Sequence, residues 1–179
     1  VVRGKNAPNA IAAQPNGYVP FYYQNSEEDR ARCEKEMIGN PFPITKAGLE
    51  RAKPLYNIYC GICHGEKADG QGWLVTMPDA KYPAAPKNLV SDEMISAGNG
   101  RYYFAIMHGK NVMGHYADKL SFEERWQVIH YIRSLQAKSK NLEYNEKSNT
   151  LSNVEQPEKG AASGPARAGN TVLPPPPAN

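Results

Sequence analysis

The five consecutive residues Cys60-Gly61-Ile62-Cys63-His64 constrain this chain more than any other stretch of it. Two cysteines separated by two residues can form thioethers with the two vinyl groups of a porphyrin, which is the attachment pattern of c-type haem. The histidine that follows directly is the usual proximal ligand of such a haem iron. The motif therefore predicts one covalently attached haem c, held by Cys60, Cys63 and His64.

A CxxC pair also occurs in redox proteins and in zinc sites. A thioredoxin-like pair would need a βαβ context that this sequence lacks, and a zinc site would need a second pair of ligands. Both alternatives are weaker than haem attachment. The third cysteine, Cys33, is expected to be a small buried or idle side chain.

Composition narrows the class of protein further. The chain of 179 residues has a net charge of only +3, which gives no reason to expect nucleic acid as a partner. Its mean hydropathy is −0.64, and no run approaches the ~18 apolar residues of a membrane span. Because haem is attached to CxxCH outside the bacterial cytoplasm, we expect an export segment before Val1.

Three regions are predicted, and the fold class is all-α. Residues 1–44 are an extended N-terminal segment with one short helix, from about Glu27 to Met37 after an N-cap at Ser26. Residues 45–140 form a small helical haem domain. Residues 141–179 are a low-complexity tail rich in Pro, Gly and Ala that ends in a polyproline run.

Helix signals inside the haem domain lie on both sides of the motif. Thr45 is a plausible N-cap for a helix that carries Cys60, although Pro54 should bend that helix. Residues 65–86 hold several glycines and prolines and predict little regular structure. Residues 91–108 predict a helix interrupted near 98–100. Ser121 begins the capping box of a last amphipathic helix.

The second axial position of the iron is assigned to Met113, because this residue follows one helix and precedes the last one. An open iron site stays an alternative. The carbonyl of Pro86 is a candidate acceptor for the Nδ1–H of His64, which would fix the orientation of the ring. The competing ligands for the second position are Met77, Met94, Met107, His108 and His115.

These motifs together resemble the class I cytochromes c. The resemblance covers about residues 45–138. This chain departs from the family pattern at Ala52, where that family usually has glycine. The resemblance implies a small helical haem fold that transfers single electrons. The residues that carry it are Ala52, Tyr56, Cys60, Cys63, His64, Met113, Val128, Tyr131 and Ile132.

A narrower resemblance begins in the segment of residues 40–45 and continues through residues 52–60 and 69–72. It is similar to the mono-haem cytochrome c subunit of bacterial alternative complex III, a quinol-oxidising respiratory complex. The resemblance implies a place on the periplasmic side of the inner membrane, beside multihaem, iron–sulfur and membrane subunits, with a terminal oxidase as acceptor. It also implies a lipid anchor, through a cysteine that is not in this sequence.

A chain with an attached haem c can serve one of three functions. The first is the electron-transfer subunit of a membrane respiratory complex, and the second is a soluble periplasmic shuttle cytochrome or a domain attached to a haem–copper oxidase. The third, a haem enzyme such as a peroxidase, needs an open iron site, against which Met113 argues. Residues 148–179 are expected to be disordered alone and to form a strap across a neighbouring subunit, which favours the first function.

Overall fold

The computed structural model describes residues 21–80 and 82–151. Within these ranges the secondary structure is helical, and the only β pairing is in two isolated bridges. The predicted all-α class is therefore confirmed for this part of the chain. The elements are α1 Glu27–Glu36, α2 Lys46–Tyr56, a π-helical turn Asn57–Gly61, α3 Ile62–His64, α4 Trp73–Thr76, α5 Asp92–Ser96, α6 Asn99–His108 and α7 Phe122–Ser139.

The helix starts follow the local signals of the sequence. The hydroxyl of Thr45 accepts a hydrogen bond from the Gly48 N–H and caps α2. Ser121 and Glu124 form the predicted capping box at the start of α7, each side chain bonding to the other residue's backbone N–H. Helix positions 91–108 are divided into α5 and α6, as the glycines near residue 98 predict.

Helix α2 packs chiefly against α7, and this pair forms the centre of the core. Ala52 and Tyr56 are completely buried on the α2 side. The ring of Tyr56 meets that of Tyr131 at a centroid distance of 5.3 Å. On the α7 side the buried apolar residues are Trp126, Val128, Ile129, Ile132 and Ala137.

The helix that carries the cysteines changes its winding after Pro54. Proline has no N–H to donate to the Glu50 carbonyl, so one bond of the α-helical ladder is missing there. Three residues later the chain enters the π-helical turn, where the Asn57 N–H is shared between the carbonyls of Lys53 and Pro54. Such π-turns often occur at functional sites, and this one contains Cys60.

The N-terminal segment lies against α6. Cys33 in α1 is completely buried, as expected, and its carbonyl closely approaches Gly100, where a Cβ atom would lie 2.0 Å from that oxygen. The ring of Phe21 packs on Tyr103 at 5.4 Å. The Tyr23 carbonyl lies 2.8 Å from Nε2 of His108. Residues 21–37 therefore belong to the same packed unit as α6.

Residues 141–151 also contact the helices. Tyr144 and Leu151 are buried in a second cluster with Ile44, Ile95 and Ala137. The strap across a neighbouring subunit is predicted for residues 148–179. Its first residues, 148–151, instead pack within this chain through the buried Leu151, because that side chain joins the apolar cluster of Ile44 and Ala137. The rest of the predicted strap, residues 152–179, lies outside the described residues.

Candidate haem-binding site

A cavity of about 380 Å³ lies where the two cysteines, the motif histidine and Met113 meet. This volume is within the range of ordinary cofactor pockets. The cavity therefore brings together the four residues that the sequence assigned to the haem. Its further lining includes Arg30, Tyr59, Tyr82, Pro86, Lys87, Leu89, Met94, Arg101, Tyr102, Ala105, Ile106, Lys110, Tyr116 and Ile132.

Both cysteines of the motif face the same cavity, and the surroundings of Cys60 disfavour redox exchange. Cys60 lies in the π-helical turn and Cys63 lies in α3, and both line the cavity. Burial, with a smaller contribution from Cys63, raises the pKa of the Cys60 thiol to about 12. A reactive redox pair needs a stabilised thiolate, so this environment disfavours the thioredoxin-like alternative. Among the described residues, no group of three or more His, Cys, Asp or Glu side chains is arranged to hold a metal ion by itself.

His64 is oriented by a backbone carbonyl. Its Nδ1 lies 2.9 Å from the carbonyl oxygen of Lys87, to which a neutral ring donates its Nδ1–H. The lone pair then stays on Nε2, the atom free to bind a metal. Burial lowers the pKa of His64, and the bond to Lys87 opposes this only partly, so the neutral ring needed for ligation is favoured.

The prediction that Pro86 supplies this carbonyl is wrong by one residue. Which carbonyl of this loop meets the ring depends on the path of the chain as it returns over the motif, and it is the carbonyl of Lys87 that faces Nδ1 of His64. The Pro86 carbonyl instead faces Gly70, where a Cβ atom would lie 2.9 Å from its oxygen. Pro86 still lines the cavity, next to the acceptor at Lys87.

The chain turns sharply after His64 and returns over the motif. Gly65 has φ of 78°, a left-handed conformation that favours glycine, and its carbonyl accepts a 2.8 Å bond from the hydroxyl of the buried Tyr56. At Gly72 a Cβ atom would lie 2.4 Å from the Cys63 carbonyl carbon. The predicted irregular segment also contains the short helix α4, which was not predicted from the sequence.

Met113 lies in a tight turn after α6. Its backbone pairs with that of Lys110, and Gly109 begins the turn with φ of 79°. The Met113 side chain lines the cavity. The nearby alternative, His115, has a side chain that is 60% exposed and takes no part in the lining. The structure therefore places Met113, and not His115, beside the motif.

Among the other competing ligands, one reaches the cavity. Met94 in α5 is buried and belongs to the lining. His108 faces the Tyr23 carbonyl, and Met107 packs partly buried against the core without lining the cavity. Met77 lies outside the lining as well. Met94 is thus the remaining alternative to Met113.

The charge of the cavity lining is a feature that no motif in the sequence predicted. The charged side chains of this lining are all basic: Arg30, Lys87, Arg101 and Lys110. Their acidic partners lie outside the lining, since Glu27 pairs with Arg30 and Lys110, and Glu93 pairs with Lys87 and Arg101. A basic lining suits the two propionates of a haem. No local motif in the sequence marks Arg30, which comes from α1.

Comparison with known proteins identifies the domain. Residues 47–132 match the family model described as cytochrome C oxidase, cbb3-type, subunit III. A comparison with curated protein sequences gives no significant match. One solved structure with some similarity is a chain of the reducing HAO-like protein complex of Kuenenia stuttgartiensis. It is 22% identical with a TM-score of 0.44, and the match covers 74% of this chain and 68% of that chain.

A TM-score of 0.44 supports no inference about function. The family match runs from α2 to the middle of α7, so it contains the cysteine motif, the returning loop and the Met113 turn. It confirms the fold that the motifs predicted, and it implies covalent haem c. The chain therefore contains a helical cytochrome c domain, which lies between an N-terminal segment and a tail outside the family match.

Proposed function

We propose that this chain is a one-electron carrier that binds one haem c covalently through Cys60 and Cys63. The observation that carries the proposal is the single cavity lined by both cysteines, by His64 and by Met113. When bound, haem c supplies one electron that is taken up and released reversibly.

Each of these residues has a distinct role in the proposal. The thiols of Cys60 and Cys63 would hold the haem edge as thioethers, and Nε2 of His64 would be the proximal ligand. The Lys87 carbonyl keeps the His64 ring in the tautomer that leaves Nε2 free. Met113 would be the second axial ligand, and a His–Met pair raises the reduction potential relative to two histidines.

The cavity favours a carrier over a haem enzyme. A peroxidase-type site needs an acid–base side chain on the open face of the iron. In the described part of the cavity lining, His64 is the only histidine and no Asp or Glu is present. The His64 ring is already committed to the Lys87 carbonyl. In its described part the lining therefore offers the cofactor no second histidine and no carboxylate for acid–base chemistry.

We also propose that the carrier works as a subunit of a membrane respiratory complex of the alternative complex III type, on the periplasmic side of the bacterial inner membrane. Two features support this proposal: the sequence resemblance to that subunit around residues 40–45 and 52–60, and a proline-rich tail with too few apolar residues for a core of its own. Multihaem, iron–sulfur and membrane subunits would be its partners, and a terminal oxidase its acceptor. Among the described residues, no helix is long and apolar enough to cross a membrane.

A second candidate is a cytochrome c component of a haem–copper oxidase. The matched family model favours it, because its description names a subunit of a cbb3-type oxidase. The chemistry of the chain would be the same in both cases. Only the partners that accept or supply the electron would differ.

Purification under gentle conditions tests these proposals. The tagged chain is isolated from its own membranes, its haem is measured as the pyridine haemochrome, and its partners are identified by mass spectrometry. We expect one covalent haem per chain and co-purifying multihaem and iron–sulfur subunits. Copper-containing oxidase subunits in their place would support the second candidate, and a chain without covalent haem would refute the carrier itself.

A further inference from the structure

A completely buried arginine lies behind the wall of the cavity. The side chain of Arg133, in α7, is 0% exposed. All its hydrogen-bond partners among the described residues are neutral: the side chains of Asn99 and Gln136, and backbone carbonyls between Met94 and Ala97. A buried cation without a carboxylate partner is unusual, because removing a charge from water is costly.

The carbonyls explain how this charge is tolerated. Arg133 donates to the oxygens of Ile95 at 3.0 Å and Ala97 at 2.5 Å, at the C-terminal end of α5. The last carbonyls of a helix have no partner within it and carry partial negative charge. The guanidinium therefore caps α5 from α7. Burial lowers the pKa of Arg133, but a guanidinium has such a high ordinary pKa that it stays charged at neutral pH.

A single side chain separates this charge from the cavity. The guanidinium carbon lies 4.7 Å from the ring centroid of Tyr102, which lines the cavity. Gln136, bonded to Arg133, also donates to the Tyr102 hydroxyl at 2.7 Å and to the Leu89 carbonyl at 2.6 Å. Leu89 lies two residues after Lys87, whose carbonyl orients His64. Arg133 is thus coupled to the cavity by its field and by a hydrogen-bonded path.

We propose that Arg133 sets the reduction potential of the bound haem. Oxidised haem carries one more positive charge than reduced haem, so a fixed buried cation nearby stabilises the reduced form and raises the potential. The effect is strong because burial removes most of the screening by water and salt. This inference rests on the proposed haem function and adds a residue outside the ligand set to it.

The test separates the effect of the positive charge of Arg133 from the effect of its shape, and it uses the intact holo-protein. The variants Arg133→Gln and Arg133→Met remove the charge, whereas Arg133→Lys keeps it; each is titrated by spectroelectrochemistry. For the neutral variants we expect the ratio of oxidised to reduced haem at a fixed potential to rise on the order of three- to tenfold. For Arg133→Lys we expect a much smaller change, and in all three variants the absorption bands of the ligated haem should be unchanged.

A further variant does not depend on removing the buried arginine. Gln136 accepts from Arg133 at 2.9 Å, so Gln136→Glu places a carboxylate against the guanidinium and should lower the potential in the same direction. If Arg133→Gln and Arg133→Met do not fold, this variant decides the question. Arg51→Gln is the control, because that side chain is 59% exposed and outside the cavity lining, and its loss should leave the potential nearly unchanged.

Two results would overturn the inference. One is an unchanged potential in folded neutral variants and in Gln136→Glu. The other is an equal decrease in Arg133→Lys and Arg133→Gln, which would assign the effect to lost geometry and not to charge. In both cases the haem would still be attached and ligated. A wild-type protein without covalent haem would instead refute the proposed function.

Discussion

The α2–α7 pair and the loop of residues 65–90 are stabilised by different kinds of interaction. In α7 a row of large apolar side chains, among them Trp126 and Ile129, is buried against other helices. In the loop, the apolar side chains that are buried among the described residues are only those of Ala68 and Leu89. The loop is otherwise shaped by tight turns and by backbone bonds such as that from Leu89 to the Ala68 carbonyl at 2.8 Å.

This difference indicates which part of the molecule depends on the cofactor. Burial of apolar side chains is the main source of folding free energy, and the helix pair has this source within the polypeptide. The loop has few such side chains, yet it holds the Lys87 carbonyl against His64 and so forms one wall of the cavity. A flat apolar haem would supply the surface on which the loop packs. The helix pair should therefore be less sensitive to loss of haem than the loop.

The largest effect is expected from removing both attachment thiols. The double variant Cys60→Ser, Cys63→Ser should contain no covalent haem, and its loop of residues 65–90 should lose its stable structure first, because the loop loses the surface it packs on. Limited proteolysis followed by mass spectrometry should find the first cuts within residues 65–90. Each single variant should keep one thioether and show a red-shifted pyridine haemochrome.

Cys33→Ala is the matched control, since this cysteine lies in α1 and should leave haem attachment intact. A haem-free double variant with native helicity and a protected loop would contradict the comparison. It would show that the polypeptide has a sufficient core without the cofactor.

Replacing the proposed second ligand tests the cavity without removing the haem. In Met113→Ala the oxidised spectrum should lose the sulfur–iron charge-transfer band, and the reduction potential should fall because the His–Met pair is broken. Met107→Leu, which exchanges side chains of similar volume outside the cavity lining, should leave both unchanged. An unchanged spectrum in Met113→Ala would move the assignment to Met94.

A core substitution in α7 tests how much buried apolar side chains stabilise the α2–α7 pair. Ile129 is completely buried, so Ile129→Ala should lower the free energy of unfolding of the holo-protein by about 2–5 kcal/mol. Denaturant titration followed by circular dichroism measures this change. Ile58→Ala is the control, because that side chain is 64% exposed and should change stability by no more than about 0.5 kcal/mol.

Acid should lower the stability of the α2–α7 pair through His130, which lies in α7. Its ring lies between the Phe42 carbonyl at 2.8 Å and the Tyr144 hydroxyl at 2.6 Å, and burial is the main cause that lowers its pKa to about 4. The unfolded chain takes up this proton below its ordinary pKa of 6.5, whereas the folded chain does so only near 4. The contribution of the neutral His130 to the free energy of unfolding is therefore fully present above pH ~6.5. It should decrease by about 3 kcal/mol as the pH approaches 4.

Unfolding measured at several pH values tests this effect. In His130→Gln the amide can still donate to the Phe42 carbonyl and accept from Tyr144, but it does not titrate, so the slope between pH 6.5 and 4 should become shallower. Equal slopes in the two proteins would show that His130 does not contribute to the acid sensitivity.

The smallest effect on the haem domain is expected from shortening the tail. A truncation after Leu151 keeps this buried residue and removes residues 152–179. The spectrum and the potential should stay nearly unchanged, while retention of the chain in its complex should decrease, because the proline-rich strap would be lost. Undiminished retention combined with loss of haem would assign the tail to the haem domain.

The sequence alone determined the features that depend on a few neighbouring residues. The CxxCH motif, the caps at Thr45 and Ser121 and the break near Gly98 each follow from side chains within about five positions. These signals predicted the all-α class and the elements around the motif. They also selected Met113, which the structure places in the same cavity as His64.

Tertiary structure decided the features that join distant parts of the chain. The acceptor for His64 is Lys87 and not Pro86, because carbonyl direction depends on how the loop returns over the motif. Arg30 reaches the cavity because α1 packs on α6, and Arg133 is buried because the end of α5 offers it carbonyls. Such contacts arise from the packing of whole helices, so no local pattern encodes them, whereas caps and attachment motifs act within one or two turns of the backbone.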